Sequence, residues 1–232
     1  DEVNAATVRV LTAEGCEVAI PRSQGCCGAL MLHTGLEQEA AQMARRFIDT
    51  FEAEAADVDT IVINAAGCGS TLKEYGHLLR DDPVYAERAC TIANKCQDIS
   101  ELLDELEPLA PRHPIPVRIA YHDACHLRHA QGVSDEPRRV LRTIPELELC
   151  EIPEAGNCCG SAGVYNLVEP DTAAALGDRK ARQILTTGAD MVVSSNPGCL
   201  LQISSRLEQA GKPTRAFHLI ELVDASIKGR TL

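Results

Sequence analysis

The sequence lacks several features that would place it in a broad class of proteins. It has no surplus of basic residues, because 34 Asp and Glu stand against 22 Lys and Arg, a net charge of −12. A nucleic-acid-binding surface requires a basic face, so we predict no nucleic-acid partner. No run of about 18 apolar residues occurs, so no segment is expected to span a membrane. No signal peptide is recognisable, but the chain opens in the middle of a pattern, so this absence carries little weight. The prediction of a cytoplasmic protein rests on the use of cysteine instead.

Cysteine, in contrast, is abundant, with 11 residues in 232. A secreted disulfide-rich scaffold is one explanation, but such scaffolds are short, and this chain is long enough to build an α/β core. Adjacent cysteines in a glycine-rich turn are also poorly suited to two separate disulfides. We therefore favour a metal site in a protein of a reducing compartment.

Two copies of one cysteine motif indicate an internal repeat. The pair Cys26–Cys27 lies in IPRSQGCCGAL, and the pair Cys158–Cys159 lies in EIPEAGNCCGSAG, at an offset of 132 residues. A further cysteine follows at similar spacing, Cys68 coming 42 residues after the first pair begins and Cys199 coming 41 residues after the second. Residues 106–116 (LEPLAPRHPIP) hold four prolines and are predicted to link a first repeat, residues 1–105, to a second, residues 117–232.

Each repeat alternates strand-like runs with longer helical patterns, which predicts parallel β-α-β units. The predicted strands are Cys16–Pro21, Thr60–Asn64, Val117–Tyr121, Leu147–Ile152, Met191–Ser195 and Thr214–Phe217. The predicted helices are Asn4–Ala13, Leu36–Glu54, Ser100–Leu106, Glu136–Thr143, Pro170–Thr186, Leu200–Gln209 and His218–Ile227. The expected fold is α/β, with two pseudo-twofold-related repeats of small Rossmann-like units.

Four cysteines of the second repeat each follow the end of a predicted strand: Cys125, Cys158, Cys159 and Cys199. Loops at the carboxyl edge of a parallel sheet converge, so these thiols are expected to meet. The helices that begin there favour negatively charged thiolates. Four thiolates suffice for a [4Fe–4S] cluster, and zinc or a redox-active vicinal dithiol are the alternatives.

The first repeat offers three candidate ligands, namely Cys26, Cys27 and Cys68. The spacing from Cys125 to Cys158 places the fourth upstream of Asp1. We therefore expect the chain to be part of a longer protein and the first site to be empty or labile in these 232 residues.

Polar side chains near the cysteines are candidates to surround the metal. They are His33, His122, His126, Tyr165 and Asn166. We predict that the histidines donate hydrogen bonds to sulfur, and direct ligation is the alternative. Tyr165 and Asn166 either donate to cluster sulfurs or begin a helix.

Several motifs together resemble a known family. They are QGCCGALMLHTG, NAAGCGS, YHDACHLRHAQG, CCGSAGVYNLVEP, NPGCLLQI and HLIELVDAS. The chain resembles the iron–sulfur subunit of glycolate oxidase (glycolate dehydrogenase) over essentially all 232 residues. That subunit is related to a component of heterodisulfide reductase in which the cysteine-rich CCG domain also occurs twice.

The resemblance implies an oxidoreductase subunit in electron transport. Such a subunit accepts electrons from a flavin-containing (FAD or FMN) partner that oxidises glycolate, and passes them to a quinone or other membrane acceptor. It implies contact with the inner face of the membrane through partners. The family also has an N-terminal ferredoxin-like domain with two CxxCxxC runs, which these residues do not contain.

One departure from the related family concerns the last cysteine of each site. In heterodisulfide reductase relatives each site ends in CxxC, whereas the endings here are CGST and CLLQ. We therefore expect a four-thiolate cluster rather than a five-thiolate noncubane one. The alternative functions are a heterodisulfide-type thiol/disulfide reductase component and a zinc-binding structural module.

Overall fold

A computed structural model describes residues 2–232 as alternating helices and strands, which confirms the α/β class. The helices are α1 (Glu2–Ala13), α2 (Ala29–His33), α3 (Glu37–Glu54), α4 (Ala66–Lys73), α5 (Tyr75–Leu78), α6 (Ala86–Lys95), α7 (Ile99–Glu105), α8 (Glu136–Arg142), α9 (Tyr165–Val168), α10 (Pro170–Thr186), α11 (Pro197–Gln209) and α12 (Leu219–Lys228). The strands are β1 (Ile61–Ile63), β2 (Cys96–Asp98), β3 (Val117–Tyr121), β4 (Leu147–Glu151), β5 (Met191–Ser194) and β6 (Arg215–His218). One turn of π-helix, His126–Ala130, follows β3.

The second repeat forms a parallel sheet with the strand order β4-β3-β5-β6. All four residues of β5 (MVVS) are buried, as expected for an inner strand covered by helices on both faces. Since the strands run in one direction, the loops that follow β3, β4 and β5 leave from the same edge of the sheet.

The first repeat forms a smaller parallel sheet of β1 and β2. Its register matches that of the second repeat: Ile63 pairs with Asp98, and Ser194 pairs with His218 at the equivalent place. Asp98 and His218 each begin the next helix with a capping box. The two repeats therefore agree even in the register of their paired strands.

The predicted strand Cys16–Pro21 is wrong, because the structure gives this segment no strand pairing. Its counterpart β4 pairs with β3, and the described residues of the first repeat hold no counterpart of β3. The consequence is visible at Ile20, which is 65% exposed, whereas the equivalent Ile152 is 4% exposed. Ile152 lies in an apolar cluster with Ala120 and Leu127 from β3 and the turn after it.

Packing joins the two repeats. Val10 and Leu11 of α1 are buried in one core with residues of α12 and of the larger sheet. Arg9 also forms an ion pair of 2.7 Å with Asp224 of α12. Residues 106–116 form neither helix nor strand. The boundaries 1–105, 106–116 and 117–232 remain a prediction. No helix within residues 2–232 has the length and apolar character needed to cross a membrane.

Candidate metal centre

Three separate segments bring four thiols of the second repeat to one place. Cys125 immediately precedes the π-helical turn after β3, Cys158–Cys159 lie in the turn after β4, and Cys199 lies in the first turn of α11 after β5. The three strands are parallel neighbours, so these segments lie at the same sheet edge. The structure thereby places the predicted ligands together at the carboxyl ends of the strands.

The turn that carries the cysteine pair depends on glycine. The N–H of Gly160 donates a hydrogen bond to Sγ of Cys158 at 3.3 Å. Gly160 has a φ of +90°, and a Cβ there would lie 2.3 Å from the carbonyl oxygen of Ala173 in α10. A side chain is therefore excluded both by the backbone conformation and by the close approach of the helix.

Cys199 receives a hydrogen bond that the sequence analysis did not anticipate. Asn196 precedes α11 in an extended conformation, and its Nδ2 donates to Sγ of Cys199 at 3.1 Å. A donor to sulfur stabilises negative charge on the thiolate. The signal in the sequence was a polar residue three positions before the cysteine, where the first repeat has Ala65.

The four thiols differ in their affinity for protons. Hydrogen bonding from Cys125, and then from Cys159, lowers the pKa of Cys158 well below the usual range of a thiol. Cys159 likewise lowers the pKa of Cys199. The donors Cys125 and Cys159 have raised pKa values for the same reason. The arrangement therefore favours the thiolate form at Cys158 and Cys199 over Cys125 and Cys159. A metal that binds all four sulfurs displaces the protons that remain on them.

His122 lies at the centre of this arrangement. Its side chain is fully buried, and neither ring nitrogen makes a hydrogen bond of good geometry within residues 2–232. The ring nevertheless lies close enough to Cys199 to help lower the pKa of that thiol. A ring nitrogen of His122 and the Sγ atoms of Cys159 and Cys199 lie within 4.8 Å of one another. Buried polar atoms without partners are rare in proteins, so the site is suited to an additional group that satisfies them.

A buried cation lies behind the cysteine pair. Lys180 of α10 is 1% exposed, and its Nζ donates to the carbonyl oxygens of Glu154 and Ala155 at 3.2 Å each. Burial lowers the pKa of Lys180, and its proximity to the cysteine pair and to Asp123 acts in the opposite direction. This lysine places positive charge next to the segment that delivers the thiolates.

An ion-pair network fixes the segment that carries Cys125. The buried carboxylate of Asp123 accepts hydrogen bonds from Arg138 at 2.7 and 2.9 Å and from Arg128 at 2.9 Å. Arg138 also pairs with Glu151 at the end of β4. The network joins the ends of β3 and β4, the two strands that precede Cys125 and the cysteine pair.

The first repeat assembles three thiols in a similar way. The N–H of Gly28 donates to Sγ of Cys26 at 3.4 Å, and Gly28 has a φ of +81°. Hydrogen bonding from Cys27 lowers the pKa of Cys68. Tyr75, fully buried, donates to the carbonyl oxygen of Cys27 at 2.7 Å. The structure thus brings together the three cysteines that the sequence assigned to this site.

The other predicted neighbours lie in different surroundings. His126 approaches Sγ of Cys125 with its Nδ1 at 3.5 Å. His33, which the sequence placed beside the first site, has its ring centroid 4.8 Å from that of His126 and thus lies next to the second site. Tyr165 and Asn166 begin the surface helix α9, and no side-chain hydrogen bond joins them to a cysteine within residues 2–232.

The donor set suits a metal that prefers sulfur. Thiolates with imidazole are typical ligands of zinc and of iron–sulfur centres. Among residues 2–232, no carboxylate joins His122, Cys159 and Cys199 in this group, whereas hard cations require oxygen ligands. In a tetrahedral zinc site the sulfurs lie about 3.8 Å apart. The separations within 4.8 Å of these three donors are compatible with a shared metal ion.

Comparison with known proteins gives consistent matches. The cysteine-rich domain family CCG matches residues 1–73 and 119–204. The probable glycolate oxidase iron–sulfur subunit of Bacillus subtilis (strain 168) is 41% identical over 224 residues, which cover 95% of this chain and 50% of that protein. The chain therefore spans half the length of that relative.

Two further proteins are similar to the chain, one in sequence and one in fold. Lactate utilization protein A of Exiguobacterium sp. is 32% identical over 227 residues, which cover 97% of this chain and 92% of that protein. The crystal structure of a hypothetical protein from Helicobacter pylori superposes with a TM-score of 0.54 at 9% identity, over 97% of this chain and 54% of that one. The latter similarity is one of fold.

Proposed function

This chain belongs to the cysteine-rich CCG domain family, and from that premise we propose that it is the iron–sulfur, electron-carrying part of a 2-hydroxy acid oxidoreductase. The names of its relatives support this function, since one is called a glycolate oxidase iron–sulfur subunit and another a lactate utilization protein. The observation that carries the proposal is the convergence of Cys125, Cys158–Cys159 and Cys199 at one sheet edge.

The second site is the proposed place of a [4Fe–4S] cluster. Such a cluster supplies a one-electron carrier whose reduction potential depends on charge, hydrogen bonds to sulfur and burial. The chain provides each of these: Asn196 donates to a ligand sulfur, Lys180 adds a buried positive charge, and Cys159 and Cys199 are buried.

The first site is proposed to hold a second cluster only when a fourth ligand is added. Cys26, Cys27 and Cys68 supply three thiols. The spacing of the second repeat places the equivalent of Cys125 before Asp1. With three thiolates, one coordination position stays open, and the metal exchanges more readily.

The proposed electron-carrying function implies two kinds of partner, an electron donor and an electron acceptor. A flavin-containing subunit oxidises the 2-hydroxy acid and hands on single electrons, and a quinone or other membrane acceptor receives them. Substrate choice between glycolate and lactate then lies in the flavin subunit, because the chain described here contributes cysteine-lined sites for electron carriers. The proposed location is the cytoplasm, at the inner face of the membrane through these partners.

Anaerobic reconstitution tests the proposal directly. Metal-free protein is incubated with iron and sulfide, and iron, acid-labile sulfide and the EPR spectrum of the reduced sample are measured. We expect about four iron atoms per chain and the EPR signal of a reduced [4Fe–4S] cluster. Binding of one zinc ion with no uptake of iron would contradict the proposal and identify a zinc-stabilised structural module, which the close grouping of His122, Cys159 and Cys199 favours as the second candidate.

A further inference from the structure

We propose that His122 is a direct ligand of the metal centre in the second repeat, so that this site offers four thiolates and one imidazole. The inference rests on the proposed metal centre and adds a donor to its four cysteines. His122 directly follows β3 and lies three residues before Cys125. It therefore reaches the site from the same loop as one of the cysteines.

The burial of His122 is the first argument. The side chain is fully buried, and both Nδ1 and Nε2 lack hydrogen-bond partners within residues 2–232. An imidazole that only shaped an apolar core would lose hydrogen bonds to water at both nitrogens without compensation. Coordination of one nitrogen by a metal offsets part of this free-energy cost, whereas packing against apolar side chains does not.

Other histidines, beside the site and in the core, have polar partners for their rings. His126 contacts Sγ of Cys125 with its Nδ1, and the Nε2 of His129 lies 3.0 Å from the carbonyl oxygen of Gly156. The Nδ1 of His218, another buried histidine, accepts a hydrogen bond from the N–H of Ile220. Each of these rings has a partner at one nitrogen, although Nε2 of His218 has none, whereas His122 lacks a well-aligned partner at both nitrogens within the described part of the chain.

The position of His122 is the second argument. One of its nitrogens lies within 4.8 Å of the sulfurs of both Cys159 and Cys199, which come from two different strands' loops. Two sulfurs and one nitrogen at such separations can bind the same metal atom. The side chain thus faces two ligands at once.

The residue three positions after Cys199 strengthens the case. In a CxxC ending this residue would be a second cysteine, but here it is Gln202, whose Nε2 donates to the carbonyl oxygen of Ala173. The proposed fifth donor of the second site therefore lies directly after β3 rather than on α11. Because a neutral imidazole carries no charge, it raises the reduction potential of the centre relative to a fifth thiolate.

Nitrogen hyperfine spectroscopy tests the ligand assignment. The unsubstituted chain is labelled with ¹⁵N-histidine, reconstituted with iron and sulfide, reduced and measured by pulsed EPR. We expect strong coupling to a histidine nitrogen, which is lost in His122→Ala and in the more conservative His122→Asn. The matched control His126→Ala, which alters a histidine beside Cys125, keeps the coupling. A cluster that forms in the unsubstituted chain without coupling to a histidine nitrogen overturns the inference.

A second probe separates this inference from the proposed function. Co²⁺ alone is added anaerobically to the metal-free protein, and ¹H NMR is recorded for the shifted N–H signal of a coordinated imidazole. We expect this signal in the unsubstituted chain and in His126→Ala, and its loss in His122→Asn. If iron and sulfide fail to form a cluster but the Co²⁺ signal is present, the proposed function falls and the ligand assignment stands. If Co²⁺ binds without the signal, the ligand assignment falls.

Discussion

The two repeats place cysteines with the same backbone geometry but surround them differently. In both, a glycine with positive φ donates its N–H to the first cysteine of the pair, at Gly28 and at Gly160. Both also place the third cysteine in the first turn of a helix, in α4 and in α11. A repeated fold therefore delivers thiols to two sites without specifying their surroundings.

The surroundings differ in polarity. Asn196 donates to Cys199, whereas the equivalent residue in the first repeat is Ala65. Lys180 is buried behind the second site, whereas Phe47 occupies the corresponding turn of α3 and stacks on Phe51 with ring centroids 4.4 Å apart. Because positive charge and hydrogen-bond donors stabilise a more reduced cluster, we predict a higher reduction potential for a cluster in the second repeat than for one in the first.

The largest expected difference between the repeats concerns iron content. Cys159→Ser removes the thiol that links Cys158 and Cys199, so we expect reconstituted iron to fall almost to zero. Cys27→Ser alters a site with three thiols, and we expect little change in the iron content of these 232 residues. Both variants are measured by iron count and EPR after the same anaerobic treatment. Equal losses would mean that the first site is completed by another ligand.

The next comparison concerns the glycine turns. Gly160→Ala places a Cβ 2.3 Å from the carbonyl oxygen of Ala173, whereas Gly28→Ala places one 3.2 Å from that of Ala40. Both substitutions force a positive φ on alanine, at a cost of about 1 to 3 kcal/mol. We expect Gly160→Ala to lose more stability, because the backbone of α10 must also move. Urea unfolding of both metal-free variants measures this, and a greater loss for Gly28→Ala would show that the turns are not equivalent.

The helix caps of the repeats should respond to pH with opposite signs. Burial raises the pKa of Asp98 to about 6, and burial lowers the pKa of His218 to about 4. The folded state binds the proton of Asp98 more tightly than the unfolded state does, so this stabilisation is lost as pH rises through about 6. The folded state binds the proton of His218 less tightly, so stability is lost as pH falls from 6.5 towards 4.

Two variants isolate these effects. Asp98→Asn and His218→Asn both keep an N-cap acceptor but remove the titration. Relative to the unsubstituted chain, Asp98→Asn should gain stability as pH rises towards 7, and His218→Asn should gain it as pH falls below 6, each by about 1 to 3 kcal/mol. Urea unfolding of the metal-free chain across this pH range measures both. Parallel pH profiles for the two variants would contradict the assignment.

The smallest expected effect concerns one hydrogen bond to sulfur. Asn196→Ala removes the donor to Cys199, and a hydrogen bond to a charged group of about 1.4 kcal/mol corresponds to about 60 mV for one electron. We therefore expect the reduction potential of the second-site cluster to fall by roughly this amount, without loss of iron. The matched change Ala65→Asn at the first site should leave that potential unchanged. Potentiometric titration followed by EPR distinguishes the two variants.

Much of the fold was predictable because it depends on local patterns. The apolar run VRIAY and the helix Pro170–Thr186 were predicted with the bounds that the structure shows. The elements that were not predicted include the ten-residue helix α6 and the three-residue strand β2 (CQD), and CQD has no apolar run that would mark a strand. The predicted strand Cys16–Pro21 has suitable residues, but a strand also requires a paired neighbour, and sequence periodicity does not show whether one is present.

By itself the sequence determined that the chain repeats and that its cysteines lie in turns after strands, since spacing and residue type are properties of the chain. Only the tertiary structure decided which polar groups meet those cysteines. His33 lies beside the second site because the repeats pack together, and Asn196 points its amide at Cys199. Within residues 2–232 the ring nitrogens of His122 have no well-aligned hydrogen-bond partner, because burial and hydrogen bonding depend on residues far apart in the chain, which no local pattern specifies.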